Sequence, residues 1–536
     1  MRRRELKSRV VALSGFGMRS FIFPVLAAFL VGQTVTAQTS PAQERSRQGI
    51  SLAREGKLAQ AEQELRQAIR IAPAVAQYRA QLGSVLGLQG KWKESLESFQ
   101  RAVDLAPLNL DFRRETAAVQ CQLGLTSPAE KNLRYVLARH PDDSGAILLL
   151  GLVQEKSGDY TSAVHLLDSQ FELVISQPDR TVALFHSIVQ SGQRDKIAKV
   201  VDALKLRAND EPWPDAIGRC VQLAVLGGDL DTAESLFALI PSDDAARAGA
   251  GLPLAKLLYH RGQVSQAKEL LLQLAASGVV SADLQVALGN CFESERQPAL
   301  ALQAYQRAIQ VDPSRVDNYE DLISLLLYLR KTTDALPLVN HLVAVAPNDP
   351  RPWVWKGNVE LRRNAYQDAL GSYRHAARLD GSNADVFLGV AAVYFVAGQS
   401  DAAIAQYKAG IVRFPNDERF YVGSAEMLLS SPDSPKLLAQ AESLLHQAVK
   451  LAPQSAEAHY LLGQLALQQG RLKDAEAEFL LSLQADPDRS KAHFALSVVY
   501  RRIGQTNDAT REFALYQELK RAEESGTPAA MAAGTP

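Results

Sequence analysis

An alanine that returns every 34 residues is the feature that most constrains this chain. It stands at Ala61, Ala129, Ala163, Ala233, Ala267, Ala301, Ala335, Ala369, Ala403, Ala441, Ala475 and Ala509, with four extra residues before Ala441 and two before Ala233. A large apolar residue often follows four residues later, and a proline follows twelve residues later in eight repeats. A period of this length is typical of stacked arrays, in which one unit cannot bury its own apolar face. The sequence therefore predicts a repeat solenoid rather than several compact domains.

Each repeat contains two stretches with helical periodicity, each about 12–14 residues long. A glycine separates the two stretches, at Gly90, Gly158, Gly228, Gly262, Gly398, Gly470 and Gly504. Glycine suits a turn that needs a positive φ, and proline ends the second helix. The alanine is small because the two helices are expected to approach closely there. Ser95 and Ile197 replace it in two repeats.

Fourteen predicted repeats cover residues 42–523. They begin at residues 42, 76, 110, 144, 178, 214, 248, 282, 316, 350, 384, 418, 456 and 490. Repeats 1–4 (42–177) and 8–14 (282–523) are regular, whereas repeats 5–7 (178–281) lack the proline and include the glycine-rich segment 245–251. The degenerate repeats either keep the fold despite sequence drift or form a hinge. A last helix, about 507–524, is expected to cap the array with a polar outer face, and residues 524–536 are expected to be disordered.

The repeat resembles the tetratricopeptide repeat, whose signature is Trp, Leu-Gly, Ala, an aromatic residue, Ala and Pro. The matching residues are Trp353, Gly357, Leu462, Gly463, Ala301, Tyr305, Ala308 and Pro313. The resemblance implies an all-α, right-handed superhelical solenoid. It also implies that the first helix of each repeat lines a concave groove that receives a protein or peptide partner.

Residues 1–37 have the three parts of a secretory signal. A basic start precedes a 12-residue apolar run, Phe21 to Gly32, and small residues lead to a cleavage site after Ala37. Cleavage there leaves residues 38–41 as a linker and places the chain in the periplasm or outside the cell. A retained anchor is the alternative, but the run is shorter than the roughly 20 residues of a spanning helix and contains Pro24. No Asn-x-Ser/Thr sequon follows, which favours a bacterial origin.

Little in the sequence points to catalysis. The motifs of nucleotide-binding loops, zinc proteases and serine hydrolases are absent, and the array leaves no room for a further domain. Cys121, Cys220 and Cys291 are isolated, which argues against zinc and disulfide frameworks. His459 and His493 occupy the same place in consecutive repeats; we favour a packing role there, as for Trp353, over a metal or catalytic site. We expect no enzyme activity, cofactor or metal.

Residues 2, 5, 9 and 12 of each repeat share one face of its first helix. In repeats 8 and 9 this face is acidic and polar, with Asp283, Val286, Asn290, Glu293, Asp317, Glu320 and Ser324. In the last five repeats it is mostly apolar, with Val354, Asn358, Leu388, Phe395, Tyr460, Phe494 and Val498, and Arg351, Lys491 and Arg501 lie at its margin. The apolar residues are candidates for partner binding; the alternative is that they pack inside the array. The acidic residues are either a solvated face or paired carboxylates.

These observations predict a non-catalytic interaction scaffold outside the cytoplasm that binds proteins or peptides, with roles such as envelope assembly or secretion. The alternative is a sugar- or metal-binding protein, or an enzyme, with its site in the groove. A net charge of −1 gives no general attraction for nucleic acid, and no membrane span is expected after cleavage. The partner and the oligomeric state stay open.

Overall fold

The protein is described by a computed structural model over residues 40–242, 244–430 and 435–525, with only the backbone of residues 522–525. The predicted signal peptide, most of the predicted tail and the centre of the insertion at 430–435 lie outside these residues. Throughout the described ranges the secondary structure is helical, with no strand, which confirms the all-α prediction. None of the helices in those ranges has both the length and the apolar character needed to cross a bilayer.

The chain divides into two compact units, residues 1–262 and 263–536, here called the N-terminal and C-terminal units. The described part of the N-terminal unit contains the α-helices Pro41–Arg54, Leu58–Ile71, Ala76–Leu88, Trp92–Leu105, Leu110–Gln122, Thr126–Leu137, Ser144–Ser157, Tyr160–Ser169, Phe171–Val174, Pro178–Ser191, Ile197–Lys205, Trp213–Leu226, Leu230–Phe237 and Ala246–His260. A 3-10 helix spans Arg194–Lys196. The glycine-rich segment 245–251 is largely helical, as the start of Ala246–His260.

The described part of the C-terminal unit contains the α-helices Val264–Ala276, Ala282–Ser294, Pro298–Val311, Asp317–Tyr328, Thr332–Val345, Pro350–Arg362, Tyr366–Leu379, Ala384–Val396, Ser400–Arg413, Glu418–Leu429, Pro435–Leu451, Ala456–Gln468, Leu472–Ala485, Ser490–Arg502 and Thr506–Ser525. Successive helices pack as antiparallel pairs, and each pair packs on the next. The last helix ends at Ser525, so Glu524 and Ser525 are helical although the sequence placed them in the tail. Its exposed described side chains are polar apart from Ala514.

The periodic alanine, residue 20 of each repeat, lies at the contact between the two helices of a pair. All twelve alanines at this place are 0–5% exposed. In repeat 2 the small residue is Ser95, and its hydroxyl donates a hydrogen bond of 2.7 Å to the Gly83 carbonyl on the facing helix. The serine that replaces alanine at this close contact is therefore both buried and hydrogen-bonded.

Two positions of the repeat form the core of a regular helix pair: residue 8, on the first helix, and residue 24, on the second helix. A Cβ added to Gly357 would lie 2.7 Å from the ring of Tyr373, and one added to Gly463 would lie 2.6 Å from the ring of Phe479. Such contacts leave no space for a side chain beneath the aromatic ring. The aromatic residue predicted by the repeat pattern is therefore matched by a glycine on the facing helix.

The turn between the paired helices ends at residue 15, which has a positive φ. All seven glycines that the sequence placed there adopt it, for example Gly90 at 77° and Gly470 at 75°. Repeats 8, 9 and 10 make the same turn without glycine, with φ values of 59° at Arg296, 57° at Arg330 and 62° at Asn364. The turn geometry is thus kept even where a side chain opposes it.

Candidate protein-interaction surface

On the acidic face of repeats 8 and 9, two of the four carboxylates, Asp283 and Asp317, form ion pairs. Asp283 lies 2.8 Å from the Arg315 guanidinium, and Asp317 lies 2.5 Å from that of Arg351. Arg315 also approaches Asp317 at 3.5 Å. These contacts form a ladder of alternating charge. Hydrogen bonds to Asp349 and Asp317 raise the pKa of Arg351, and the hydrogen bond to Arg351 lowers the pKa of Asp317. Asp283 and Asp317 are paired with arginine guanidinium groups, and their side chains are 41% and 53% exposed.

The other two carboxylates of this face, Glu293 and Glu320, are exposed. The Tyr305 hydroxyl is 2.6 Å from Asn290 Oδ1 and 2.9 Å from Glu293 Oε2. Burial, together with the neighbouring Glu320 and Glu293, raises the pKa of Asp321 to about 6. Asp321 was not singled out in the sequence, although it directly follows Glu320. Negative charge is therefore concentrated on Glu293, Glu320 and Asp321.

Two of the apolar candidates pack inside the array. Val354 is 5% exposed and Tyr460 is 8% exposed, and both belong to hydrophobic core clusters. The Tyr460 ring lies 5.9 Å from that of Phe479, and the Arg489 guanidinium lies 4.8 Å from it. Val354 and Tyr460 therefore pack inside the array, which is the alternative to partner binding given above.

The other apolar candidates are more accessible. Asn358, Leu388 and Val498 are half-buried, and the Tyr373 hydroxyl donates a hydrogen bond of 2.6 Å to Asn358 Oδ1. Phe395 is 38% exposed and Phe494 is 45% exposed.

Phe494 forms an aromatic cluster with two residues of the last helix. Its ring centroid lies 5.1 Å from that of Tyr516 and 6.4 Å from that of Phe513. Lys491 and Arg501 are exposed on the same helix, whereas Arg351, the third predicted margin residue, is held by Asp317 and Asp349. Phe494 therefore combines exposure with a basic margin.

Residue 4 of the first helix makes a recurring link that the sequence did not reveal. In several repeats its side chain hydrogen-bonds, at 2.9–3.2 Å, to the carbonyl of the proline six residues earlier: Arg113, Tyr319, Trp353, Tyr421, His459 and His493. The link fastens each first helix to the loop that precedes it. His459 and His493 are 5% and 8% exposed, in agreement with the expected packing position.

Each of the two histidines also contacts a glutamate on the second helix of its repeat. Nδ1 of His459 lies 2.7 Å from Glu478 Oε2, and Nδ1 of His493 lies 2.6 Å from Glu512 Oε2. In the sequence, a glutamate follows each histidine by 19 residues. Helical periodicity alone does not predict this contact, because the two residues lie on different helices.

The thiols are not poised for chemistry. All three cysteines are free and buried. Burial raises the pKa of Cys121 and Cys220 to about 12, and that of Cys291 to about 11. Within 40–242, 244–430 and 435–525, no group of three or more His, Cys, Asp or Glu side chains is arranged to hold a metal ion.

Comparison with known proteins places the repeat in a family. The tetratricopeptide repeat model matches residues 46–109, 252–316, 321–384 and 438–490. Two curated relatives are Protein O-mannosyl-transferase TMTC3 of Mus musculus, 25% identical over 32% of this chain, and Protein O-mannosyl-transferase TMTC1 of Homo sapiens, 22% identical over 31%. The matched stretches are 18% and 19% of those proteins, so the chain spans less than a fifth of their length.

Several solved structures align with this chain at low identity. The Cut9–Hcn1 hetero-tetramer of the APC/C aligns over 84% of this chain and 88% of its own, with 15% identity and a TM-score of 0.38. Naa15/Naa10 bound to HypK-THB aligns over 90% and 94%, with 14% identity and a TM-score of 0.34. YrrB, a TPR protein with an unusual peptide-binding site, aligns over 35% and 95%, with 19% identity and a TM-score of 0.26. The paired helices and the four matching stretches together show that the chain contains tetratricopeptide repeats.

Proposed function

We propose that this protein is a non-catalytic scaffold that binds a protein or peptide partner along the first helices of its last repeats. The observation that carries the proposal is the half-exposed Phe494, which stands at a groove position of repeat 14. Large aromatic side chains that stay accessible beside charged groups are typical anchors of protein interfaces. Lys491 and Arg501 at its margin favour a partner segment with acidic character.

The structure changes how the candidate residues are ranked. Phe494, Phe395 and Leu388 keep accessible apolar surface, whereas Val354 and Tyr460 are nearly covered. We therefore assign partner contact to the first three and array packing to the other two. Asp283 and Asp317 are left out of the binding surface because their charges are already paired.

The proposal includes a location outside the cytoplasm and a role in envelope assembly or secretion. The sequence pattern of residues 1–37 supports this location. Amino-terminal sequencing of the exported protein tests it, since cleavage after Ala37 leaves Gln38 as the first residue. An intact residue 1 in the membrane fraction would show a retained anchor instead. Mannosyl transfer is not proposed, because the match covers so little of the mannosyl-transferases.

Two matched aromatic substitutions test the binding surface. A partner is first captured from the host envelope fraction and identified by mass spectrometry, and its affinity is then measured. Phe494→Ala should weaken binding by about 2 kcal/mol or more while leaving the melting temperature nearly unchanged. Tyr460→Ala, at the same repeat position but buried, should lower the melting temperature. Full affinity in the Phe494→Ala protein would remove the proposed surface, and turnover of a substrate by the purified chain would contradict the non-catalytic assignment.

A further inference from the structure

His459 and His493 have surroundings that accept hydrogen bonds at both ring nitrogens. Nδ1 faces a glutamate carboxylate, and Nε2 faces the carbonyl of Pro453 at 3.1 Å or of Pro487 at 2.9 Å. A carbonyl oxygen and an ionised carboxylate only accept hydrogen bonds. At His493, hydrogen on both ring nitrogens, that is, an imidazolium cation, satisfies both acceptors.

We propose that His493 forms a proton-dependent clasp that fastens the last repeat and loosens as the pH rises above the ordinary value for histidine. The clasp joins three segments: the loop before the repeat, its first helix and its second helix. In repeat 14 these segments are represented by Pro487, His493 and Glu512. When the His493 ring loses one proton, one of its nitrogens presents a lone pair to an oxygen that can only accept a hydrogen bond. The nearly buried Glu512 carboxylate also loses its cationic partner, so the contact becomes unfavourable.

The charged groups around His493 favour its cation. Glu512 from the last helix is in contact, Asp488 from the preceding loop adds negative charge, and Arg511 shares the Glu512 carboxylate at 3.5 Å. Burial alone lowers the pKa of His493, but the bonds to Glu512 and to the Pro487 carbonyl outweigh it, and the pKa of the ring is raised above 6.5. The stabilisation is therefore complete below about 6.5 and is lost as the pH rises through the folded value. Around His459 the charged partner is Glu478.

Other repeats make the same link to the proline carbonyl through tyrosine, whose hydroxyl ordinarily titrates at about pH 10 rather than near neutrality. Tyr319 and Tyr421 donate their hydroxyl hydrogens to Pro313 and Pro415. In both repeats the residue that corresponds to Glu512 is a leucine, Leu338 or Leu444. The histidine and glutamate occur together in repeats 13 and 14. In repeat 14 the proton dependence therefore comes from this pair, whereas the link to the proline carbonyl also forms without it.

His186 in the N-terminal unit gives a contrasting case. Its Nδ1 lies 2.7 Å from Glu155, but its buried Nε2 has no hydrogen-bond partner among the described residues. A neutral ring with hydrogen on Nδ1 satisfies that site, so the geometry there does not require the cation. A histidine–glutamate contact is therefore not sufficient; the second acceptor defines the clasp.

Hydrogen exchange on the full chain tests the clasp, followed by mass spectrometry and corrected for the intrinsic dependence of exchange on pH. Protection of segment 490–525 should fall by about tenfold or more between pH 6 and pH 9, the loss expected for one charge-assisted hydrogen bond. Segment 316–345, which has Tyr319 and Leu338, is the internal reference and should change far less. The double variant His493→Tyr/Glu512→Leu copies that reference pair and should abolish the fall. Protection independent of pH in the native chain, or an equal fall in the double variant, overturns the proposal.

Histidine titration followed by NMR gives a second measurement that does not depend on how the double variant folds. In the chain labelled at histidine, the His493 resonance is assigned by its absence from a His493→Gln protein. We expect His493 to titrate above the ordinary value near 6.5, and Glu512→Gln to shift its titration to lower pH. Titration at or below 6.5 in the native chain overturns the clasp.

Discussion

Repeat 5 of the N-terminal unit and repeat 10 of the C-terminal unit fill the same helix-pair core in opposite ways. In repeat 10 of the C-terminal unit, Gly357 lies beneath the ring of Tyr373. In repeat 5 of the N-terminal unit, the large residue is on the first helix, Phe185, and the smaller one, Val201, is on the second; both are buried. The comparison teaches that the fold requires a combined volume between the two helices rather than a fixed residue on either one.

The close crossing at residue 20 differs in the same way. Repeat 13 has Ala475 there, and its second helix, Leu472–Ala485, has 14 residues. Repeat 5 has Ile197, and its second helix, Ile197–Lys205, has nine residues and follows a 3-10 turn at Arg194–Lys196. A larger residue at the crossing thus accompanies a shorter, less regular second helix.

Phe185→Ala should have the largest effect, because it empties the core of repeat 5. Phe185 is fully buried, and such a truncation costs about 3–5 kcal/mol of unfolding free energy. Adding Val201→Phe should recover part of that loss, since it rebuilds the arrangement of a regular repeat with the large residue on the second helix. Denaturant unfolding of the single and double variants measures both effects. Equal stability of the two variants would show that the paired positions do not share one volume.

Ala475→Leu should destabilise repeat 13 by about 1–3 kcal/mol, because the crossing has no space for a longer side chain. Ala301→Leu in repeat 8 should act similarly. The loss should spread to adjacent repeats, since each is held by its neighbours. Ile197→Ala is the converse test: it should destabilise repeat 5 by leaving a cavity instead of relieving a crossing. Melting profiles that are unchanged by Ala475→Leu would show that the assigned repeat register is wrong.

Buried charge also distinguishes the units. The Glu512 carboxylate contacts Arg511 and His493, whereas burial raises the pKa of Glu115, in repeat 3, to about 8 although Arg114 lies 3.5 Å away. The unfolded carboxyl ionises near its ordinary value of 4.5 while the folded one stays protonated, so stability falls as the pH rises from 4.5 to 8.

Glu115→Gln keeps the shape of the side chain and removes this titration. We expect the variant to be more stable than the native chain by about 1–3 kcal/mol at pH 9, with a difference that shrinks toward pH 4.5. Thermal unfolding of both proteins across this pH range measures the difference. A constant difference at every pH would show that Glu115 is ionised in the folded protein.

Arg330→Gly should have the smallest effect, a gain of about 0.5–1 kcal/mol. In the described N-terminal unit the corresponding turns hold glycine, whereas Arg330 is forced to a φ of 57°. Gly470→Ala is the matched control and should lose a similar amount, because Gly470 has a φ of 75° and open space around its Cα. Chemical denaturation compares the two proteins. A loss of stability in the Arg330→Gly protein would show that the Arg330 side chain makes a contact that outweighs the strained turn.

The candidate surface was only partly predictable because the sequence assigns a face but not its coverage. Val354, Tyr460 and Phe494 are all residue 5 of their repeats, yet they are 5%, 8% and 45% exposed. Arg489, from the loop that leads to the next repeat, lies against Tyr460, whereas repeat 14 is the last one described. The exposure of residue 5 thus depends on side chains from the following repeat. Assigning residues to one face of a single helix does not take those side chains into account.

The sequence by itself determined the repeat length, the paired helices, the buried alanines and the glycine turns. These features arise from short-range geometry that recurs every 34 residues, so one repeat predicts the next. Only the tertiary structure decided which carboxylates are paired, which groove residues stay exposed and which histidines face two acceptors. Those properties depend on side chains from neighbouring helices and loops, because burial and protonation are set by everything that surrounds a group rather than by its place along the chain.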